Sequence, residues 1–203
     1  METYPTIPTN IVNTPIYAFD KLDGSNIRAE WNHKSGFMKF GSRRRLLDPA
    51  EKPLGDAIEL FMNKYADDLG AIFKKERMMR ATAFFEFHSP NSFAGQHVDE
   101  PHDVTLFDLH VYKQGMLPPK QFLRLFEDKV DIAQVLYEGK PNQHLVDAVR
   151  SSQLEGMTFE GVVCKGDLDN RRRPVTFKLK SEAWFVALRK KYGHDEDLMK
   201  KLM

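Results

Sequence analysis

The sequence predicts an α+β fold built from mostly antiparallel sheets with flanking helices. Segments with strand patterns are mostly joined by hairpin-style connections, and strand-helix-strand crossovers are fewer. One long stretch with apolar residues at helical spacing predicts an amphipathic helix packed on a sheet. No internal repeat, low-complexity segment or long linker divides the 203 residues, so we expect one domain.

The first strands are predicted at residues 16–20, 26–32 and 36–42, and a glycine-containing turn joins the last two. A helix is then predicted from Pro53, because proline suits the first turn of a helix. Its apolar positions are Leu54, Ala57, Ile58, Phe61, Met62, Tyr65, Leu69, Ile72 and Phe73. This stripe indicates that one side of the helix packs on a sheet.

Later strands are predicted at residues 81–87, 104–112, 132–136, 160–165 and 174–180. Shorter helices are predicted at residues 119–128 and 141–152, and a helical tail is predicted at about residues 181–203. The polar loop at residues 88–103 is long enough to suggest a functional role. The remaining connections are short, as expected for a compact domain.

Composition makes thiol chemistry a secondary hypothesis and leaves a nucleic-acid partner open. The net charge is +1 at pH 7, so the whole molecule attracts a polyanion only weakly. Basic runs at residues 43–45, 74–80, 171–173 and 189–191 are suited to phosphate contacts and equally to solvated surfaces. The single cysteine, Cys164, excludes an internal disulfide and a zinc site of clustered thiolates.

The sequence contains no pattern typical of membrane attachment or secretion. Its apolar stretches, such as residues 184–188, are far shorter than the roughly 20 residues that span a bilayer. Residues 1–13 lack the basic start and the apolar core of a secretion signal. We therefore expect a cytoplasmic protein with no membrane partner.

Charged side chains are predicted to share particular faces of the strands. Lys178 and Lys180 lie on one face of the strand at residues 174–180, opposite its apolar residues. Glu86 points away from the two phenylalanines beside it, and Lys21 ends a strand just before an Asp-Gly turn. Lysines and carboxylates at strand ends are what a phosphate-binding cleft requires, although each alone is also typical of an ordinary half-exposed strand.

Five short motifs follow one another along the chain. They are Lys21-Leu22-Asp23-Gly24, Phe84-Phe85-Glu86-Phe87, Leu106-Phe107-Asp108, Glu160-Gly161-Val162-Val163 and Lys178-Leu179-Lys180. In order and spacing they resemble the covalent nucleotidyltransferase superfamily of polynucleotide ligases and capping enzymes, over roughly residues 16–180. The chain is most similar to ATP-dependent RNA ligases of the phage RNA ligase 2 class, through residues 21–26, residues 85–90 and the spacing of Glu160 and Lys165.

The resemblance implies the nucleotidyltransferase (ATP-grasp-like) domain of an ATP-dependent RNA ligase that acts in RNA repair. In such enzymes a lysine takes AMP from ATP, the AMP passes to a 5′-phosphate end, and a 3′-hydroxyl then displaces it to join the strands. Lys21 matches that lysine. The implied cofactors are ATP and Mg²⁺, and the implied partner is nicked or broken RNA, with DNA as a second possibility.

The resemblance also implies roles for the residues around Lys21. Lys178 and Lys180 match lysines that neutralise charge on the α-phosphate, and Glu160 matches a metal-associated carboxylate. Further matches are Asp20 near the base, Phe107 stacked on adenine, Glu86 at a ribose hydroxyl, Arg43 near ribose and phosphates, Lys165 at a phosphate, and Asn26 near the reacting ends. The residues alone leave alternatives open: Phe107 as core, Asp20 and Asn26 as turn residues, and Arg43 displaced by one position.

A nucleophilic Lys21 requires an unusual environment. A free lysine has a pKa of about 10.4 and is almost wholly protonated at neutral pH. We expect Lys178, Lys180 and a bound Mg²⁺ to disfavour the Lys21 ammonium, since each adds positive charge nearby.

The carboxyl-terminal part departs from the larger members of the superfamily. DNA ligases and capping enzymes carry an oligonucleotide-binding-fold domain after the paired lysines, and the RNA ligase 2 class carries an extra domain. Here only the charged helical tail follows Lys180, so we expect a single adenylyltransferase domain over residues 1–203. Either it is a minimal ligase, with residues 171–173 contacting the polynucleotide, or it is truncated. A minimal DNA ligase and a non-catalytic nucleic-acid-binding relative are the alternative functions.

Overall fold

The computed structural model describes residues 1–90, 92–169, 173–197 and 199, and these residues form an α+β fold as predicted. The strands are β1 (Ile16–Asp20), β2 (Gly24–Asn32), β3 (Gly36–Ser42), β4 (Arg80–His88), β5 (Asp103–Val111), β6 (Gly115–Met116), β7 (Val135–Gly139), β8 (Gly161–Leu168) and β9 (Pro174–Lys180). The helices are α1 (Asp56–Lys75), α2 (Pro119–Phe126), α3 (Gln143–Arg150) and α4 (Glu182–Tyr192). None of the described helices is long and apolar enough to cross a membrane.

The strands form two antiparallel sheets. One has four strands in the order β7-β1-β8-β9, and the other has five strands in the order β3-β2-β4-β5-β6. The chain passes from the first sheet to the second through residues 21–23, between β1 and β2. Because Lys21 opens this short connection, it lies where the two sheets meet.

Helix α1 covers one face of the five-stranded sheet, and α2 contributes Phe122 and Phe126 to the same apolar core. The buried residues of α1 are Ala57, Phe61, Tyr65, Leu69 and Phe73, which recur at helical spacing. Phe61 stacks on Phe85 of β4 with ring centroids 4.7 Å apart, and it meets Phe37 of β3 edge-on at 4.8 Å. This aromatic layer closes one side of the sheet and leaves its other side to face the rest of the molecule.

Helix α3 covers the four-stranded sheet in the same manner. Asn142 caps the helix, since its Oδ1 accepts a hydrogen bond of 2.8 Å from the backbone N–H of Leu145. Leu145 and Val149 are buried against Ile16 of β1 and Phe177 of β9, within one apolar cluster. Each sheet therefore has one face packed on helices.

Some element boundaries differ from the prediction. Helix α1 begins at Asp56 instead of Pro53, because the residues just before it form turns. The strand predicted at residues 132–136 lies at Val135–Gly139, where it pairs with β1, and Ile132 makes only an isolated bridge to β5. Strand β6 is too short to show any periodicity in the sequence.

The predicted helical tail at residues 181–203 is also interrupted. Helix α4 ends at Tyr192, turns follow, and helical structure resumes only at Glu196. Residues 198 and 200–203 lie outside the described part of the chain. A helix end at this point is consistent with Gly193, which follows Tyr192 as the C-cap residue.

The aromatic layer yields a prediction for stability. Phe61 is fully buried, and replacement by alanine should leave a cavity that lowers the free energy of unfolding by about 3–5 kcal/mol. Met62, the next residue, is 41% exposed, and Met62→Ala should cost about 0.5 kcal/mol or less. Guanidinium unfolding of both variants checks this, and equal losses would contradict the packing described here.

Candidate active site

A cleft of about 570 Å³ is lined by residues from both sheets. Residues 4–7, which precede the first strand, also line it. All ten side chains predicted to form the site line this cleft: Asp20, Lys21, Asn26, Arg43, Glu86, Phe107, Glu160, Lys165, Lys178 and Lys180. The fold therefore brings the predicted residues together, and the role of each stays a prediction.

The carboxylate of Glu160 binds two lysines in this cleft. Nζ of Lys21 lies 2.8 Å from one oxygen, and Nζ of Lys180 lies 3.0 Å from the other. The side chains of Glu160 and Lys180 are only 5% and 6% exposed, so water screens their attraction weakly. Glu160 and the two lysines form an ion triplet with one excess positive charge.

Backbone hydrogen bonds fix where the three members of the triplet meet. The N–H of Lys21 donates to the carbonyl of Gly161 at 2.9 Å, and the N–H of Ser181 donates to that of Glu160 at 3.0 Å. Gly161 has a φ of +138°, and a Cβ there would lie 2.1 Å from the carbonyl oxygen of Leu179. Glycine is therefore required after Glu160 so that β9 can approach closely.

Lys21 is stabilised in its ammonium form. Burial acts to lower the pKa of Lys21, but the nearby carboxylates, Glu160 foremost, outweigh burial and raise this pKa above its ordinary value. The repulsion between Lys21 and the β9 lysines, which helps to lower the pKa of Lys178 and of Lys180, is therefore outweighed at Lys21 by the carboxylates, and the effect of a bound Mg²⁺ stays a prediction. The reason is the direct contact with Glu160, which the sequence spacing does not reveal.

The paired lysines of β9 concentrate positive charge on one wall of the cleft. Burial lowers the pKa of Lys180 to about 8, although Glu160 opposes this effect. Burial, followed by the charge of Lys21, also lowers the pKa of Lys178. Both side chains line the cleft, as the alternation along the strand predicts. This wall is suited to bind phosphate groups.

Oxygen atoms without hydrogen bonds lie in the β2 part of the cleft. Asn26 of β2 and Glu86 of β4 are directly opposite each other in the ladder, so their side chains share a face. The Oδ1 atoms of Asn26 and of Asp23 are buried and accept no hydrogen bond from the described residues. Because buried acceptors normally have donors, these oxygens are suited to hydroxyl or amine groups of a ligand.

A β-bulge places Phe107 in the cleft. In the ladder between β4 and β5, Phe84 pairs with Asp108 and Phe85 pairs with Leu106, which leaves Phe107 as the additional residue. The bulge therefore lets Phe107 and Asp108 both reach the side of the sheet away from α1. Phe107 is partly buried and lines the cleft, so it is not enclosed in the core.

Lys165 and Asp108 form a buried ion pair beside Phe107. Nζ of Lys165 lies 3.0 Å from Oδ2 of Asp108 and also donates to the carbonyl of Phe107. Burial lowers the pKa of Lys165, and Asp108 opposes this effect. The hydroxyl of Tyr4 donates to the same Oδ2 at 2.9 Å, and its ring meets Phe107 edge-on at 5.0 Å. Lys165 thus lies next to aromatic rings, and its contact with a ligand stays a prediction.

Asp20 and Arg43 each hold a neighbouring segment. Asp20 is buried at the end of β1, burial raises the pKa of its carboxyl, and Oδ1 accepts the N–H of Thr158 at 3.1 Å. Asp20 thereby ties β1 to the segment that leads to Glu160. The exposed guanidinium of Arg43 donates to Oγ1 of Thr6 at 2.8 Å, so it contacts the segment before β1.

The sequence patterns do not predict the places of Tyr4 and Trp184 in the cleft, or the pairing of Asp108 with Lys165. Tyr4 precedes the first strand and belongs to no periodic segment. Trp184 lies in the predicted tail helix, and no sequence pattern shows that its side chain also lines the cleft. The sequence does contain a signal for a residue such as Asp108. A lysine on a largely apolar strand, such as Lys165, requires a carboxylate partner when it is buried.

Metal binding by the protein alone is weakly supported. Among the residues that the structure describes, no group of three or more His, Cys, Asp and Glu side chains is arranged to hold a metal ion. Each oxygen of Glu160, the predicted metal ligand, already contacts a lysine ammonium. A divalent cation at Glu160 would therefore need further oxygen ligands from a bound molecule, such as phosphate groups.

The predicted phosphate-contacting surface at residues 171–173 is only partly described. Arg171 and Arg172 lie outside the described residues, and Arg173 is exposed with an ion pair of 3.3 Å to Asp169. In the run at residues 189–191, Nζ of Lys191 donates to the carbonyl of Ser92 at 3.4 Å. The role of both runs in binding a polynucleotide stays a prediction.

No protein-family model matches the chain, and no curated protein matches it significantly. Solved structures of Naegleria gruberi RNA ligase are similar to it. One mutant with ATP and Mn has a TM-score of 0.68 at 13% identity, with 92% of this chain and 58% of that chain covered. Another mutant with ATP and Mn has a TM-score of 0.64 at 16% identity, and the match covers 89% of this chain and 52% of that chain. The ligase with PPi has a TM-score of 0.63 at 14% identity, and the match covers 90% of this chain and 52% of that chain.

These similarities establish the fold. The described chain has the nucleotidyltransferase fold found in the RNA ligase structures, so the resemblance carried by the five motifs is confirmed at the level of the fold. The chain spans about half the length of those RNA ligase chains.

The position of Glu86 yields a prediction for the pH dependence of stability. Burial raises the pKa of Glu86 from 4.5 to about 8, so the folded protein favours its neutral form. The contribution of Glu86 to the free energy of unfolding is fully present below pH 4.5 and is lost as the pH rises through about 8. The free energy of unfolding should therefore fall less across this range in Glu86→Gln than in the original protein.

Guanidinium unfolding at a series of pH values measures this effect. Glu59→Gln is the matched control, because Glu59 is exposed on α1 and its carboxyl is solvated in both states. An unchanged pH profile in Glu86→Gln would show that Glu86 is as well solvated as Glu59.

Proposed function

We propose that this protein is an ATP-dependent RNA ligase whose first step transfers AMP from ATP to Lys21. The observation that supports this most strongly is the ion triplet of Lys21, Glu160 and Lys180 inside a cleft large enough for a nucleotide. The triplet lies in a fold shared with RNA ligase structures that contain ATP and Mn. A protein that only binds nucleotides would not need a lysine at the position of Lys21.

In the proposed first step, the neutral amine of Lys21 attacks the α-phosphorus of ATP. A nitrogen–phosphorus bond forms, the bond from that phosphorus to the bridging oxygen breaks, and pyrophosphate leaves, while the proton that the amine loses passes to pyrophosphate or solvent. Negative charge builds on the phosphate oxygens, and Lys178 and Lys180 are placed to neutralise it from the same wall of the cleft. Since Glu160 stabilises the Lys21 ammonium, the amine becomes available only when the charge of Glu160 is offset.

The residues present fit a divalent cation only together with the nucleotide. Glu160 offers carboxylate oxygens, which Mg²⁺ and Mn²⁺ accept as ligands, and the phosphates of ATP would complete the coordination. A cation held there would supply positive charge that lowers the pKa of Lys21 and screens the phosphates. We therefore propose ATP with Mg²⁺ or Mn²⁺ as the reactive complex.

The other end of the cleft is proposed to bind adenosine. The ring of Phe107 offers an apolar face for the base, and Lys165 and Asp108 lie beside it with polar groups. Asn26 and Glu86 share one face of the adjoining strands, where they would contact the ribose hydroxyls. This assignment places Lys165 near the base, in contrast to the phosphate contact that the sequence resemblance implies.

The later steps follow from the chemistry of lysyl-AMP. AMP would pass to a 5′-phosphate, and a 3′-hydroxyl would then attack the adenylylated end, form a phosphodiester and release AMP. We propose nicked or broken RNA in the cytoplasm as the substrate, with the described fold acting as a single adenylyltransferase domain. A minimal DNA ligase is the alternative, because no contact of the described residues distinguishes ribose from deoxyribose in the strand to be joined.

The first step has a direct test. The purified protein incubated with ATP and a divalent cation should gain the mass of one AMP, and Lys21→Ala should gain none, because its side chain has no amine. Lys39→Ala is the matched control, since Lys39 is an exposed lysine on β3 outside the cleft. Intact mass spectrometry measures the outcome, and AMP on Lys21→Ala would contradict the assignment of the nucleophile.

The strand preference is tested separately, by sealing of nicked duplexes made of RNA, DNA or both. We expect joining of RNA strands to be the fastest and to require 5′-phosphate and 3′-hydroxyl ends. Gel separation of the joined product measures the rates. Faster joining of all-DNA nicks would favour the alternative, and lysyl-AMP without joining would assign only the first step to this chain.

A further inference from the structure

Trp184 is a buried aromatic residue that contacts the triplet from helix α4. Its side chain is 1% exposed, and Nζ of Lys180 lies 3.6 Å from the centroid of its ring. The same Nζ lies 3.0 Å from Glu160. The Lys180 ammonium is therefore held between a carboxylate and the face of an indole, an arrangement that attracts a cation from two sides.

The first turn of α4 is tied to the segment that carries Glu160. Oγ of Ser181 accepts the backbone N–H of Trp184 at 3.0 Å and donates to the carbonyl of Phe159 at 2.7 Å. The N–H of Ser181 donates to the carbonyl of Glu160 at 3.0 Å. The capping residue thus fixes the indole relative to the carboxylate, so the two groups that hold Lys180 move together.

Trp184 also packs under the loop that contacts Asp23. It belongs to a small apolar cluster with Phe93, Ala94 and Leu188, and the N–H of Ala94 donates to Asp23 at 2.8 Å. Asp23 lies two residues after the predicted nucleophile. Trp184 therefore contacts Lys180 at one end of the triplet, and at the other end it packs on the loop that binds Asp23, near Lys21.

We infer that Trp184 is a positioning residue: its ring holds the Lys180 ammonium at the phosphate wall of the cleft, so α4 takes part in adenylylation. This inference rests on the proposed function. A lysine side chain has many rotamers, and the ring adds a second restraint on the Lys180 ammonium besides Glu160. When the phosphates of ATP enter, they compete with Glu160 for Lys180, and the ring face restrains the ammonium without competing for a hydrogen bond. A contact of this kind favours the held position by about tenfold or more when it is shielded from water.

The contact itself is tested by a double-mutant cycle on unfolding, which requires no ATP. The four proteins are the original chain, Lys180→Met, Trp184→Leu and the double variant, measured by guanidinium unfolding. We expect the losses of stability in the two single variants not to add up in the double variant, with a coupling of about tenfold in the unfolding equilibrium. If Trp184→Leu does not fold, Trp184→Phe replaces it and should show a weaker coupling, because phenylalanine offers a poorer face than tryptophan. Additive losses would overturn the inference.

The effect of the contact between Trp184 and Lys180 on catalysis is tested by the single-turnover rate of lysyl-AMP formation. Trp184→Leu should lower the maximal rate about tenfold with little change in the ATP concentration for half-maximal rate, and Trp184→Phe should recover most of it. Leu188→Ala is the control, because Leu188 is buried in the same cluster and should lose stability without this loss of rate. In the Lys180→Met background, Trp184→Leu should have no further effect on the rate.

Equal slowing in Trp184→Leu and Leu188→Ala would overturn the inference, since the effect would then follow from stability. Failure of the proposed function looks different. In that case the original chain itself forms no lysyl-AMP, while the unfolding cycle still reports whether Trp184 holds Lys180.

Discussion

A single buried carboxylate, Glu160, pairs the charged groups at one end of the four-stranded sheet and connects the last helix to them. Two ammonium groups from the ends of β1 and β9 contact its two oxygens. Without Glu160 both ammonium groups would lose their direct carboxylate contact in a poorly solvated place, which is strongly unfavourable. The backbone hydrogen bonds of Lys21 and Ser181 to the segment around Glu160 are therefore part of the same constraint. The strand ends must converge for the charges to be paired.

The cleft that results has two chemically distinct ends. One end carries the lysines around Glu160, and the other carries Phe107 with the ion pair of Lys165 and Asp108. The second end is electrically balanced and flanked by rings, whereas the first has an excess of positive charge. This division matches a molecule with a flat, weakly polar base at one end and phosphates at the other. A nucleotide bound as proposed would have one favourable orientation, with its phosphates toward Lys21.

Fold and chemistry are supported here by different kinds of observation. The similarity to Naegleria gruberi RNA ligase lies at 13–16% identity, and it reflects the order and pairing of the elements. Most side chains can differ in such a comparison because a fold depends mainly on which positions are apolar and on where turns occur. The case for adenylylation depends instead on a few side chains and their distances. These are Lys21, Glu160 and the β9 lysines.

The sequence by itself determined which residues belong to the site, in two ways. Alternation along the strand, which is local, placed Lys178 and Lys180 on one face, and the resemblance carried by the five motifs named most of the other residues among the ten that line the cleft. Only the tertiary structure decided the partners. Lys21 and Glu160 are 139 residues apart, and Tyr4 and Asp108 are 104 apart, so no local pattern relates them. The bulge that places Phe107 in the cleft, and the carboxylates that raise the pKa of Lys21, likewise depend on strand pairing and sheet closure, which bring distant charges and rings into contact.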